Sequence, residues 1–423
     1  MRTRLGRALL LAAPSLVFAL LLGAAEAALR LVWTPIRPLE LLVRDPHDSH
    51  NFEDGHSTSI FEGDPLRMWR LRPGLREVIW DFTLVSTNRQ GLRYPGELGS
   101  PAQGPRILCL GDSVTFGYRV PLVFPERPGA WRREDAPFPA LAEAELRADD
   151  PATEVVPVAV PGYSSHQGRH WLEREIARLR PDVVTALFGW NDASLRATGD
   201  AASMPPERAL LRRAVVSSQL LMRLSLALAP EREPIPYARW RPRVELDAFL
   251  ANHRAMAELA LRHGARFVAL APVLRDPEAF PETAERIARY RAALAQLARD
   301  EGWAWVELPE LSESAWPGNA HLFGETIHPN AAGHRRLAAA LVPVLRRELR
   351  LSAKGSGSAA AATRGDRATA ASSATRSARV GRSLVTGDGE GMMAERPVVG
   401  RCGTLVGAYT HAGADCPTEN RSP

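Results

Sequence analysis

The chain has 423 residues, of which 45% are hydrophobic, so it is long and apolar enough to bury a sizeable core. Its formal net charge of +5 comes from an excess of basic residues in the first seven residues and a second excess from Ser352 onward. The region between them is close to neutral, so the charge gives no support for nucleic-acid binding. With three cysteines and no zinc-type spacing of cysteine and histidine, we expect neither a disulfide framework nor a metal site, and no cofactor.

The N-terminal segment, residues 1–33, is basic and then apolar. Arg2, Arg4 and Arg7 precede an uncharged stretch over 8–25, which as a helix measures about 27 Å and can just cross a bilayer. A cleaved signal peptide is the alternative, because small residues near Ala25 fit a signal-peptidase site. The length of the apolar run favours an uncleaved transmembrane anchor. Both interpretations place the rest of the chain outside the cytoplasm, because the arginines stay on the cytoplasmic side.

Residues 34–104 are rich in Pro, Asp and Arg and contain short apolar runs at 78–80 and 82–85. This composition predicts a juxtamembrane linker followed by a small β-rich extension. At the other end of the chain, residues 352–423 are dominated by Ala, Ser, Thr, Gly and Arg. Such a segment buries too little apolar surface to offset its ordering entropy, so we expect a disordered low-complexity tail.

Between these segments, residues 105–351 alternate short apolar runs with amphipathic helical spacing. The apolar runs predict buried strands at 107–110, 154–160, 183–188, 267–270 and 303–308. The 3.6-residue spacing predicts helices after Ser164 or Ser165 and at about 207–228, 246–264, 287–297 and 331–349. Strands that alternate with helices predict an α/β domain with a parallel sheet covered on both faces.

Four short stretches stand out where predicted strands end or just before the last helix. They are Gly111-Asp112-Ser113, Val160-Pro161-Gly162-Tyr163, Gly189-Trp190-Asn191-Asp192 and Glu325-Thr326-Ile327-His328-Pro329-Asn330. Because ligands of open α/β sheets bind outside the carboxyl ends of the strands, we expect these stretches to meet. A serine hydroxyl becomes a good nucleophile when a base takes its proton, and histidine is the usual base near neutral pH. The pattern predicts Ser113 as nucleophile and His328 as base.

These stretches, in this order, resemble the blocks of the SGNH hydrolases, also called the GDSL esterase/lipase family. The resemblance covers about Arg106 to Leu349 and implies a flavodoxin-like three-layer α/β/α sandwich with a five-stranded parallel sheet. It maps the family's signature residues onto Ser113, Gly162, Asn191 and His328. It also implies that the backbone N–H groups of Ser113 and Gly162 and the side-chain amide of Asn191 stabilise an oxyanion. The structural alternatives are a helix cap for Ser113 and turn residues for the other three.

The chain departs from the family in the acid of the triad. The family usually places Asp three residues before the histidine, and Glu325 occupies that position here. A carboxylate at this place holds the imidazole in the right tautomer and stabilises the imidazolium. We expect a Ser113–His328–Glu325 triad, and a Ser–His dyad assisted by a backbone carbonyl is the alternative.

The resemblance implies a serine esterase that hydrolyses carboxylic esters through an acyl-enzyme on Ser113. We expect it outside the cytoplasm, anchored to the membrane by the N-terminal helix or secreted if that segment is cleaved. The expected substrate is a small-molecule, lipid or glycan ester. An O-acyltransferase that modifies a cell-envelope polysaccharide with the same triad is the main alternative, and a non-catalytic envelope-binding module is a further one.

Overall fold

The computed structural model describes residues 2–42, 60–99, 102–124, 135–229 and 235–355. The predicted tail beyond residue 355 and the part of the predicted linker over 43–59 lie outside the described residues. Within the described ranges, strands and helices alternate along the chain as the sequence predicts.

A five-stranded parallel sheet forms the centre of the α/β domain over 105–351, as predicted. The strands, numbered along the chain, are β1 Phe61–Asp64, β2 Met68–Leu71, β3 Val78–Trp80, β4 Thr83–Val85, β5 Arg106–Gly111, β6 Glu154–Ala159, β7 Val183–Leu187, β8 Leu195–Arg196, β9 Arg241–Pro242, β10 Arg266–Leu270 and β11 Ala304–Val306. The central sheet has the order β11-β10-β7-β5-β6, with every neighbouring pair parallel. This is the flavodoxin-like order. The strands stay parallel, but the order in which the chain connects them changes direction between β5 and β7.

Helices connect the strands. They are α1 Arg2–Val32, α2 Pro38–Leu42, α3 Ser113–Phe116, α4 Phe138–Leu146, α5 Ser165–Leu179, α6 Trp190–Ala193, α7 Asp200–Ser203, α8 Ala209–Val216, α9 Gln219–Ala227, α10 Leu246–Arg262, α11 Pro281–Asp300 and α12 Ala331–Gly355. Short 3-10 helices lie at Pro206–Arg208, Tyr237–Arg239, Pro309–Leu311, Glu313–Ala315 and Ala320–Leu322.

The helices cover both faces of the sheet and create two cores. Successive residues of β5 point to opposite faces, so Leu108 and Leu110 pack in one core and Ile107 and Cys109 in the other. Helices α5, α10 and α11 pack over the first face, and α4 and α12 pack over the second. Because β5 and β7 are buried on both faces, they appear in the sequence as continuous apolar runs.

The β-rich extension consists of two antiparallel hairpins, β1–β2 and β3–β4. The second hairpin lies where the sequence predicts short apolar strands. The first is not predicted, because its two strands carry too few alternating apolar residues. Trp69, Trp80 and Val85 from the hairpins are buried and join the core beneath α5 and α10. The extension is therefore packed against the α/β domain.

The N-terminal apolar segment is helical, as predicted. Within the described residues, α1 is the one helix long and apolar enough to cross a membrane, with a mean hydropathy of 1.9 over Pro14–Val32. Its apolar side chains, among them Leu20 and Leu21, are exposed. These properties fit a membrane span and also a signal sequence.

Three helices differ from the sequence prediction. The helix expected over 207–228 is divided into α8 and α9, because Ser218 caps α9 by accepting a hydrogen bond from the Leu221 backbone N–H at 3.2 Å. Helix α4 is not predicted, because Pro137 and Pro139 at its start suggest a turn, although proline is well tolerated in a first helical turn. Helix α12 continues beyond its expected end to Gly355 and so enters the segment expected to be disordered.

Candidate active site

The candidate active site lies at the carboxyl end of the sheet, where the strand order reverses. Strand β5 ends at Gly111, and Ser113 begins the short helix α3. Asp112 caps this helix, because its carboxylate accepts a hydrogen bond from the Val114 backbone N–H at 2.9 Å. A Cβ at Gly111 would come within 2.0 Å of Thr115 Oγ1, so the tight turn requires glycine. This turn presents Ser113 at the edge of the sheet.

Ser113 and His328 are 215 residues apart in the chain and meet in the fold. Nε2 of His328 lies 2.7 Å from Oγ of Ser113, and Nδ1 of His328 is hydrogen-bonded to the carboxylate of Glu325. An ionised carboxylate only accepts hydrogen bonds, so this arrangement assigns the imidazole proton to Nδ1 and leaves Nε2 to accept the serine proton. The three residues predicted as a triad therefore have the geometry for general-base activation of a serine.

Glu325 reaches the imidazole although its side chain is longer than the expected Asp. The tight turn over 325–328 accounts for this, because the same carboxylate also accepts from the backbone N–H groups of His328 at 3.2 Å and Ile327 at 3.4 Å. Burial acts to raise the pKa of Glu325, but the hydrogen bond and charge of His328 outweigh it and hold the pKa below its usual value. Glu325 is therefore ionised when it holds His328.

The predicted oxyanion donors follow β5, β6 and β7. Within the described residues, the backbone N–H groups of Ser113 and Gly162 donate to no protein acceptor and remain available. The Nδ2 group of Asn191 donates to the Tyr163 carbonyl at 3.0 Å and to the Asp112 carboxylate at 3.2 Å. Burial raises the pKa of Asp112 to about 6. To bind an oxyanion, Asn191 must exchange its longer contact, the one to Asp112, for the substrate oxygen.

The oxyanion loop, residues 160–163, is held by the first hairpin of the extension. Trp69 on β2 donates from Nε1 to the Pro161 carbonyl at 3.1 Å, and the Trp69 carbonyl accepts from the Tyr163 hydroxyl at 2.7 Å. The Pro161 carbonyl and the Gly162 N–H belong to one planar trans peptide and point in opposite directions. By holding that carbonyl, Trp69 fixes the direction in which the Gly162 N–H donates.

Gly162 itself is required by the conformation of this loop. Its φ is +82°, and a Cβ would lie 3.1 Å from Cζ2 of Trp69. Its carbonyl accepts from Nη1 of Arg243 at 2.5 Å, while the same guanidinium donates to Asp200 and Gln167 at 2.5 Å each. The Arg243 side chain is 2% exposed, so these charge-assisted hydrogen bonds are shielded from water. Both peptides that flank the Gly162 Cα are therefore fixed.

The second hairpin of the extension supports His328, the predicted base, through Tyr118. The ring of Tyr118 packs on the ring of His328 with 4.3 Å between centroids. The Tyr118 hydroxyl donates to the carboxylate of Asp81, which lies in the turn between β3 and β4 and also accepts from Arg119 at 2.9 Å. The side chains of Asp81 and Arg119 are about one-third exposed, so water and salt reach this contact.

Four supporting residues, Trp69, Asp81, Tyr118 and Arg243, are absent from the sequence prediction. Tyr118 lies shortly after the nucleophile motif in the sequence, so a contact between it and the site could have been predicted from this proximity. The other three lie far in sequence from the residues they hold, and no periodicity or motif marks them. Within the described residues, no group of His, Cys, Asp and Glu side chains is placed to hold a metal ion.

Two hollows open beside the triad. A crevice with a volume of about 10 Å³ borders the serine, and its lining includes Ser113, Gly189, Trp190, Pro272 and Ile327. A cavity of about 370 Å³ borders the histidine and the acid, and its lining includes Tyr118, Arg119, Glu325, His328 and Arg335. The small hollow is mainly apolar in its residues, whereas the larger one carries charged side chains of both signs.

Comparisons with known proteins agree with this fold. The model of the GDSL-like lipase/acylhydrolase family matches residues 109–336, which is more than half of the chain. The chain belongs to this family, and it is an ester-bond hydrolase. No curated protein sequence matches it.

Three solved structures illustrate the similarity. A lipase/acylhydrolase from Enterococcus faecalis is 18% identical, with a TM-score of 0.38 over 57% of this chain and 95% of that one. A catalytic mutant of an acetylxylan esterase from Geobacillus stearothermophilus is 18% identical, with a TM-score of 0.39 over 58% of this chain and 94% of that one. An α/β hydrolase from the metagenome of Lake Arreo, Spain, is 19% identical, with a TM-score of 0.36 over 59% and 97%.

Proposed function

We propose that this hydrolase cleaves short-chain carboxylic esters outside the cytoplasm, with Ser113 as nucleophile, His328 as base and Glu325 as the acid that orients the base. The observation that carries the proposal is the 2.7 Å contact between His328 Nε2 and Ser113 Oγ, with Glu325 on the other ring nitrogen. Each member of the triad thereby has a partner of the chemistry that its role requires.

In the first half of the reaction, Oγ of Ser113 attacks the ester carbonyl carbon as His328 Nε2 takes its proton. The carbonyl oxygen becomes an oxyanion and accepts hydrogen bonds from the N–H groups of Ser113 and Gly162 and from the amide of Asn191. The bond to the alcohol then breaks, and His328 returns the proton to the leaving oxygen. The acyl group stays on Ser113.

In the second half, His328 takes a proton from water as the water oxygen attacks the acyl carbon. The bond to Oγ breaks, Ser113 regains its proton, and the carboxylic acid leaves. Glu325 remains ionised throughout and stabilises the imidazolium that forms in both halves.

The two hollows favour a short acyl group and a larger alcohol. The acyl group remains bonded to Ser113 and therefore lies in the crevice that Ser113 lines, whose volume of about 10 Å³ is roughly that of one water-sized group. The alcohol leaves with the proton from His328, which lines both hollows, and only the cavity of about 370 Å³ is large enough for a sugar or a similar polar molecule. We infer an acetyl ester as the preferred substrate.

The proposed location outside the cytoplasm, tethered to a membrane, rests on α1. Three arginines precede its apolar stretch, and positive residues beside a span stay on the cytoplasmic side. A reporter that is active only outside the cytoplasm, fused after Leu349, should be active and should lose this activity when residues 1–33 are deleted. Activity that survives the deletion would contradict the proposed export.

Hydrolysis of p-nitrophenyl esters of increasing acyl length tests the chemistry and the acyl preference together. The kcat/KM should fall from acetate to butyrate to octanoate, and Ser113→Ala and His328→Ala should each abolish acetate hydrolysis. Equal rates with acetate and octanoate would refute the short-acyl inference, and full activity of Ser113→Ala would refute the nucleophile.

An O-acyltransferase would form the same acyl-enzyme, and the larger cavity would then hold the acceptor. Product analysis with p-nitrophenyl acetate and a sugar acceptor separates the two functions. We expect free acetate to exceed the acetylated sugar. The reverse ratio would make transfer the main reaction while leaving the roles of Ser113 and His328 intact.

A further inference from the structure

Helices α8 and α9 expose much apolar surface. Leu210 and Leu211 on α8 are 81% and 63% exposed, and Leu221 and Leu224 on α9 and Leu228 at its end are also exposed. Leu221, Leu224 and Leu228 are three and four residues apart and therefore share one face, and the exposed Leu226 lies off that face. Single exposed leucines are ordinary, but five on two consecutive helices indicate a surface that is covered when the protein is in use. We call Leu210, Leu211, Leu221, Leu224 and Leu228 the leucine patch.

The same helices are attached to the apolar N-terminal helix. Glu26 of α1 accepts hydrogen bonds from the Ser218 hydroxyl at 2.8 Å and from the backbone N–H groups of Gln219 and Leu220 at 2.9 Å each. Arg30 of α1 donates to the Glu26 carboxylate at 2.7 Å and to the Ser217 carbonyl at 3.1 Å. The carboxylate thus satisfies the free N–H groups at the start of α9 and has a favourable interaction with the helix dipole.

A second set of contacts joins α9 to the chain just after α1. The side-chain amide of Gln219 accepts from the Ile36 N–H at 2.8 Å and donates to the Ile36 carbonyl at 2.9 Å. Arg223 donates to the Thr34 carbonyl at 2.8 Å. Helix α9 is therefore fixed in position relative to the C-terminal end of α1.

These contacts set the depth of α9 if α1 crosses a bilayer. When the uncharged stretch over 8–25 is the part that crosses the hydrocarbon, Glu26 lies directly at its C-terminal boundary. An unpaired carboxylate in hydrocarbon is costly, and α9 supplies the hydrogen bonds that satisfy it. Helix α9 then begins at the level where the hydrocarbon gives way to lipid headgroups.

We propose that the leucine patch docks on the surface of an anionic lipid bilayer beside α1, so that α8 and α9 lie in the membrane interface. Helix α9, which carries part of the patch, is hydrogen-bonded to α1, whose own apolar side chains are exposed. Residues 207–229 carry four arginines and one acid, and Arg208 and Arg213 are exposed. Basic, leucine-rich amphipathic helices of this kind bind the boundary between headgroups and acyl chains. The inference rests on the proposed membrane association of α1 but not on the ester chemistry.

Depth-dependent fluorescence quenching tests this docking in the full chain. A single cysteine is placed at Leu211 or Leu228 in a Cys402→Ser, Cys416→Ser background, since Cys109 is buried. It is labelled with an environment-sensitive dye, and the protein is reconstituted into vesicles that contain phosphatidylglycerol and lipids with a quencher just below the headgroups. We expect a blue shift of emission and strong quenching at both positions.

Leu261 on α10 provides the matched control, because its exposure of 71% equals that of Leu228 at 72%. A dye at Leu261→Cys should stay unshifted and unquenched, and a dye at Leu21→Cys in α1 should be quenched by lipids labelled deep in the acyl chains. Quenching at Leu21 without quenching at Leu211 and Leu228 would overturn the docking while the anchor stands. No quenching at Leu21 would overturn both.

Two further outcomes separate lipid from other occupants. A blue shift that is independent of quencher lipids and grows with protein concentration would indicate a second copy of the chain and contradict the proposal. The double variant Arg208→Gln, Arg213→Gln should show less quenching of the Leu211 dye in anionic vesicles, with no change at Leu21. Equal quenching with and without these arginines would contradict the anionic part of the proposal.

Discussion

The two hairpins of the extension support opposite sides of the site by different physical means. The β1–β2 hairpin holds the oxyanion loop through Trp69, a residue that is 2% exposed and bonded to main-chain groups. The β3–β4 hairpin supports the base through Asp81, whose carboxylate is about one-third exposed, and through the ring of Tyr118. A buried contact to backbone sets geometry and stability together, whereas an exposed ion pair adds little stability and is weakened by salt.

The extension supports the site without supplying any of the proposed reacting groups. The proposed nucleophile, base and oxyanion donors all belong to the hydrolase domain, but the direction of the Gly162 N–H depends on an indole from β2. Loss of the first hairpin should therefore affect folding and turnover together. Loss of the Asp81 contact alone should affect turnover and leave stability nearly unchanged, because the buried Trp80 and Val85 keep the second hairpin in the core.

The largest loss of kcat is expected from a substitution inside the triad. The losses from substitutions in the two hairpins are compared with it. Glu325→Gln removes the negative charge that stabilises the imidazolium and allows the wrong tautomer, so kcat should fall roughly ten-thousandfold. Glu325→Asp keeps the charge and should retain more activity than Glu325→Gln. Steady-state kinetics on p-nitrophenyl acetate measures both. Equal activity of Glu325→Gln and wild type would support the dyad alternative.

Trp69→Phe tests the buried support of the oxyanion side. The variant keeps a ring but loses the hydrogen bond to the Pro161 carbonyl, so kcat should fall about tenfold with little change in KM. The free energy of unfolding should drop by about 1–2 kcal/mol, because a buried hydrogen bond and packing are lost. Chemical denaturation and steady-state kinetics give the two values.

Trp305→Phe is the control for this substitution. Its Nε1 donates to Glu307 at 2.7 Å, so the variant also loses an indole hydrogen bond, but on β11 and away from the oxyanion loop. Its kcat should equal that of wild type. A Trp69→Phe variant with unchanged kcat would mean that the loop holds its geometry without the hairpin.

Asp81→Asn tests the exposed support of the base side and should have a smaller effect. The variant replaces a charge-assisted hydrogen bond to the Tyr118 hydroxyl by a neutral one, so kcat should fall about threefold. Tyr118→Phe should give the same decrease, and the double variant should be no worse. Glu62→Gln, which breaks the exposed ion pair with Arg70 on the other hairpin, should leave kcat unchanged.

Asp192 should affect stability without affecting turnover. Burial raises its pKa from 3.8 to about 7, so the folded protein keeps a proton that the unfolded chain loses near pH 4. The contribution of this carboxyl to the free energy of unfolding therefore falls as the pH rises from about 4 to about 7. In Asp192→Asn, this decrease should be smaller than in wild type. Identical pH profiles of stability for the two proteins would show that Asp192 is not held in its protonated form.

The sequence predicts the sheet and the triad because both leave strong local signals. Strands buried on both faces appear as apolar runs, and Ser113 and His328 lie in short motifs at strand and helix ends. The division between α8 and α9 depends on one serine cap, and such a cap is easily missed when the apolar spacing continues across it. The hairpin contacts leave no signal in the sequence, because Trp69 and Pro161 are 92 residues apart and no motif or periodicity links the two positions.

Covalent labelling with a fluorophosphonate tests the central claim most directly, because the reagent reacts only with an activated serine. Intact-mass analysis followed by peptide mapping should find one adduct, on Ser113, that is absent from Ser113→Ala and forms much more slowly in His328→Ala. An adduct on another serine, or undiminished labelling of Ser113→Ala, would contradict the account.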